Sequence, residues 1–161
     1  MDVPEFPIRR VKFAQQISQP REFVGNWLEK RPSEYFVLLA PTAIVSDEQL
    51  WVAKNKAFLN QTRSLMRSQT IDGEFIRLIA GTQNMNLAFD RVGIKEGDSE
   101  AWIAYIGEEQ SPDFGTIFGD LNLEELDIRP AFELGDSQRS GIEEAKDSFA
   151  YLGQIHIADL S

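Results

Sequence analysis

Runs of apolar residues divide the chain into a few short elements of different period. Tyr35 to Ala40 is continuous, aromatic and branched and stops at Pro41, which predicts a buried strand. Ser46-Asp47-Glu48-Gln49 has the form of a capping box, with two acids at the positive end of the helix dipole. The helix it opens is predicted to run to about Arg67, with Leu50, Ala53, Ala57 and Phe58 on its inner stripe. Gly73 to Ala80 repeats Phe75, Leu78 and Ile79 at helical spacing. Asn84 to Val92 repeats Met85, Ala88 and Val92 and is expected to close on Gly93 as a left-handed cap. Ala101 to Ile106 alternates with apolar residues on both sides, the mark of a strand covered on both faces. Further helices are expected near Asn122 to Leu126 and Ser140 to Ala150, and Tyr151 to Leu160 reads as a final strand or a docking tail. Ser111 to Asp113 and Gly135 to Gly141 read as surface loops. Helices in the middle with strands on either side indicate an α+β fold.

With 161 residues, 42% of them apolar, one compact domain over residues 1–161 is expected. There is no cysteine, and His156, flanked by Ile155 and Ile157, is the single histidine. Disulfides, thiolate chemistry and a multi-histidine metal centre are thereby excluded, and neither a cofactor nor a catalytic role is expected. No phosphate loop, nucleophile elbow or metalloprotease motif occurs, and Gly115 to Gly119 lacks the strand that would give it such meaning. The acid pairs Glu108-Glu109, Glu124-Glu125 and Glu143-Glu144 are adjacent in sequence, so their side chains diverge as on a solvated surface. The first residues lack the charged and apolar regions of a secretory signal, and no apolar run is long enough to span a bilayer. A soluble, cytoplasmic protein is expected.

The formal charge of -10 conceals an asymmetry. Up to Ala80 the chain has 11 Lys/Arg against 9 Asp/Glu, and beyond it 5 against 17. Gln49 to Ile71 holds Lys54, Lys56, Arg63 and Arg67 and no acid. On a continuous helix, Lys56, Asn60, Arg63 and Arg67 would share one face, opposite Leu50, Ala53 and Ala57. An ordinary solvated face would show the same spacing. With Trp51 and Phe58 beside it, the strip also suits single-stranded nucleic acid, which is held by cations and stacking.

The ordered run Ser46 to Leu50, Ala53, Lys56-Ala57, Gly73-Glu74-Phe75, Ile79 to Thr82, Ala88 and Val92-Gly93-Ile94 resembles the TPRKB-like family of small regulatory subunits of the KEOPS complex. The likeness spans about residues 40–107. Gln49 stands where that family often has histidine, and Gln83-Asn84-Met85 stands for its Arg-Gln-Ile step. The resemblance implies a helical layer on a small, mainly antiparallel sheet. It also implies a non-catalytic subunit that binds and stimulates a small atypical kinase and holds the 3′ CCA end of tRNA, meeting other KEOPS subunits indirectly. Lys56, Asn60, Arg63 and Arg67 would then face the tRNA, and Ile155, Ile157 and Leu160 the kinase. The alternative is an acidic adaptor that binds a kinase and no RNA.

Overall fold

The computed structural model describes residues 4–44 and 46–127. Among them are strands β1 (Ile8–Phe13), β2 (Phe36–Leu39), β3 (Glu100–Tyr105) and β4 (Leu123–Leu126). The helices are α1 (Pro20–Lys30), α2 (Asp47–Thr62), α3 (Ile71–Ala80), α4 (Met85–Val92) and α5 (Gly115–Asp120). The expected α+β class is what these elements form. No helix among the described residues is long and apolar enough to cross a membrane. The residues fall into two compact units, one of residues 7–41 and 94–127 and one of residues 4–6 and 42–93.

The first unit holds an antiparallel sheet of order β2-β3-β1-β4. Val11 and Phe13, Ala101 and Ile103, and Phe36 and Leu38 share one cluster with Trp27 of α1 and Ile117 of α5. Burying a large side chain such as Trp27, 2% exposed, contributes about 1.5–3 kcal/mol. The other faces of β3 and β2, Trp102, Ala104, Val37 and Leu39, are buried too, so the expectation of an apolar strand on both sides holds.

The apolar pattern announces neither β1 nor α1. Strict alternation fails in β1 because Arg10 is buried. Its Nε donates to Glu100 at 2.9 Å, its Nη1 to the Pro41 carbonyl at 3.0 Å, and its guanidinium lies 5.0 Å from the Trp102 ring. In α1, Pro20 occupies the first turn, where its missing N–H costs nothing, and Phe23 and Trp27 are one turn apart.

Residues 122–126 are strand and turn, correcting the expected helix. The helical stripe lies just before them, in Phe114, Ile117, Phe118 and Leu121, and forms α5. Asn122, at φ 54, turns the chain into β4, whose Glu124 and Glu125 face the basic β1: Lys12 pairs with Glu124, and Arg9 Nε meets Glu125 at 3.2 Å.

In the second unit α3 packs against both α2 and α4, and every residue of it but Asp72 is buried. Leu50, Ala53 and Ala57 of α2 are fully covered, as the stripe predicts, whereas Phe58 is only partly so. Phe6 stacks on Phe75 and meets the Trp51 ring edge-on at 4.8 Å. The left-handed cap belongs to Gly81, at φ 70, and ends α3. Gly93 is extended instead, and a Cβ there would stand 2.6 Å from the Phe89 carbonyl oxygen, so close approach is what its glycine permits.

Candidate nucleic-acid interface

Helix α2 starts as its capping box predicts: Ser46 Oγ accepts the Gln49 N–H at 3.1 Å. It ends earlier than expected. Arg63 caps it, Ser64 takes the left-handed conformation at φ 58, the Ser64 N–H donates to the Gln61 carbonyl at 3.2 Å, and the Leu65 N–H donates to the Asn60 carbonyl at 2.7 Å. This pair of bonds is a Schellman closure with serine in the place glycine usually holds. The missing glycine is why the apolar period alone carries the helix on to Arg67.

The continuous four-residue strip is corrected accordingly. Arg63 and Arg67 are exposed, but Arg67 lies in the turn between α2 and α3. Neither forms an ion pair among the described residues. Lys56 is half-buried, and Asn60 is only 6% exposed. Its Nδ2 donates to Glu74 Oε2 at 2.8 Å, so Asn60 faces inward. The aromatic flank is also partly engaged. Trp51 Nε1 donates to the Pro4 carbonyl at 2.8 Å, and Lys54 Nζ lies 5.4 Å from the Trp51 ring. Leu65, 60% exposed, is instead the apolar side chain that the turn offers between its two arginines.

Beneath the turn is a charge pair that the apolar pattern passes over. Glu74 and Arg77 are fully buried in α3. Arg77 Nε donates to Glu74 Oε1 at 3.1 Å and its Nη2 to Oε2 at 2.7 Å. The backbone N–H groups of Arg67 and Ser68 reach Oε1 at 3.1 and 3.2 Å. Burial pushes the Glu74 carboxyl up, but hydrogen bonds from Arg77 and Asn60, the Arg77 charge and the Arg67 N–H outweigh it. The net effect holds the group below the usual carboxylate range. The signal for it in the sequence is a Glu and an Arg three apart in an otherwise apolar helix, where an isolated charge would be intolerable and a pair is not. Ile155, Ile157 and Leu160, His156, the helix expected at 140–150 and the loop at 135–141 lie outside the described residues.

The family model described as kinase binding protein CGI-121 matches residues 14–129. Subunit TPRKB of the EKC/KEOPS complex of Danio rerio is 25% identical over 103 residues, which cover 63% of this chain and 59% of that protein. The EKC/KEOPS subunit CGI121 of Candida glabrata is 26% identical over 98 residues, covering 60% and 56%. Its counterpart in Kluyveromyces lactis is 33% identical over 76 residues, covering 47% and 48%. The chain thus spans about half to three-fifths of the length of these relatives.

Proposed function

The chain belongs to the CGI-121 family of kinase-binding proteins, and from that premise we propose that it is a non-catalytic regulatory subunit of a KEOPS-type tRNA-modification complex. In this reading it binds and stimulates the small atypical kinase subunit. It also holds the 3′ CCA end of tRNA while another subunit installs threonylcarbamoyl on adenosine 37. The observation that carries the proposal is the family match across residues 14–129. The tRNA half is supported by the exposed Arg63 and Arg67, set on a turn that also presents Leu65. Two guanidiniums can neutralise phosphates, and an apolar side chain between them can lie against a base. Ile155, Ile157 and Leu160 are proposed as kinase contacts.

The test is binding of the purified chain to intact tRNA and to tRNA trimmed of CCA, at low and raised salt. Tighter binding of the intact form, weakened by salt and by R63E/R67E, is expected. Equal affinity for trimmed and intact tRNA refutes the CCA assignment. The inward turn of Asn60 favours one second reading, the acidic adaptor. Co-purification with the kinase and no tRNA binding at low salt would establish it.

A further inference from the structure

The turn that carries Arg63 and Arg67 has little packing to hold it. Residues 61–65, 67, 69 and 70 are exposed, so burial in the core does not decide where the two guanidiniums stand. The Schellman closure fixes the turn as far as Leu65. The next tie to the unit comes at Arg67 and Ser68, whose N–H groups both end on Glu74 Oε1. The other oxygen of the same carboxylate receives Asn60, in the last turn of α2. One side chain therefore joins the end of one helix, the turn after it and the start of the next.

We propose that Glu74 is a positioning residue for nucleic-acid binding, its buried carboxylate tethering the 63–70 turn so that Arg63 and Arg67 stand ready for phosphates. The proposal rests on the tRNA reading above. Only a carboxylate meets the geometry, because both oxygens face donors. Glutamine has the same size, but its amide nitrogen would point at Asn60 and Arg77 or at the two backbone N–H groups. Arg77 completes the device. A bare anion under the turn would repel phosphate and weaken the cations above it, and the guanidinium 2.7 Å away cancels that charge.

Single substitutions leave a buried charge alone and risk unfolding, so the decisive variant is E74L/R77M. Replacing a buried pair by apolar residues of similar volume commonly preserves the fold. Its expected behaviour is a thermal midpoint only a few degrees below the parent's, the drop reflecting Asn60's loss of its acceptor, with fast hydrogen exchange at the Arg67 and Ser68 amides while α3 stays protected, and about tenfold weaker tRNA binding. The slope of log affinity against log salt should fall by up to about 1.4, one step of about 0.7 for each single-strand phosphate that is no longer neutralised. A merely structural role would reduce the active fraction and leave that slope alone. In an R63Q/R67Q background, the E74L/R77M change should have no further effect on binding. Three results bear on failure. If R63Q/R67Q weakens binding while E74L/R77M keeps the parent's affinity and slope, the positioning role is overturned and the tRNA reading stands. If the parent's Arg67 and Ser68 amides exchange as fast as free loop amides, the tether itself is refuted. If the parent chain binds no tRNA, the tRNA reading falls and takes this proposal with it.

Discussion

Replacing Arg77 alone by methionine tests how α3 accommodates charge. Glu74 and Arg77 are both fully buried, and removing one member of such a pair costs about 3–5 kcal/mol because the other charge is left behind. Here Asn60 and the N–H groups of Arg67 and Ser68 still reach the carboxylate. The expected loss therefore lies at the lower end, about 3 kcal/mol out of a total of about 5–15. At about 2–4 °C per kcal/mol for a chain of this size, the melting midpoint should fall by about 6–12 °C. The pH dependence should also reverse. In the parent, the folded pKa of Glu74 lies below the unfolded value, so the stability it contributes is complete above the unfolded pKa and is lost as pH falls through the folded one. In R77M, burial prevails and the carboxyl moves up. The folded state then binds a proton more readily than the unfolded state, and R77M regains stability on acidification in the range where the parent does not. Urea unfolding followed by tryptophan fluorescence at about pH 7.5 and about pH 5 reads both effects, and adding E74L should restore most of the loss. A loss below about 1 kcal/mol together with an unchanged pH slope would refute the reasoning, since a carboxylate indifferent to its guanidinium is not a buried hub.

Ser64→Gly should raise stability by about 1 kcal/mol, because a left-handed serine bears a steric cost that glycine lacks, and Ser64→Val should lower it; calorimetric midpoints decide both. Two adjacent arginines should differ widely in their cost to stability in urea. Arg10→Ala, which takes the buried guanidinium from Glu100 and leaves the Pro41 carbonyl only the Trp102 Nε1 donor, should cost about 2–4 kcal/mol. Arg9→Ala, which breaks a pair whose side chains are 43% and 49% exposed, should cost less than about 1 kcal/mol.

The elements read correctly from the pattern are those in which burial alone sets the period. β2 and β3 are covered on both sides and contain no charge between Phe36 and Leu39 or between Ala101 and Tyr105. α3 and α4 follow apolar repeats, and α2 has a side-chain cap that spacing reveals. The misread places are those where a polar group is used against its type. Arg10 is buried against Glu100, the Pro41 carbonyl and the Trp102 ring and hides β1, and Ser64 does a glycine's work and hides the end of α2. Leu123 and Leu126 are three apart, as in a helix, but alternation puts only Leu123 in the core, opposite Phe13. At the candidate site, the exposure of Arg63 and Arg67 follows from composition. The inward turn of Asn60 depends on Glu74, which is 14 residues away in sequence and follows from no local period.

The sheet is assembled from distant parts of the chain. β1 pairs with β3 across a separation of about 90 residues, as the Arg10 to Glu100 bond shows, and β4 comes later still, while α2, α3 and α4 touch their neighbours in sequence. Loop-closure entropy must be met before such distant pairings are rewarded, so the helices between β2 and β3 are expected to form first and the sheet last. On the ribosome, β1 emerges about 90 residues before β3 and has no partner until then, its Ile8, Val11 and Phe13 uncovered meanwhile. Substitutions in β1 should accordingly speed unfolding, while substitutions at Leu50 or Phe75 should slow refolding, a contrast that stopped-flow kinetics can read. The long wait of β1 leaves an apolar, unpaired strand on the nascent chain, the kind of surface that folding assistance covers.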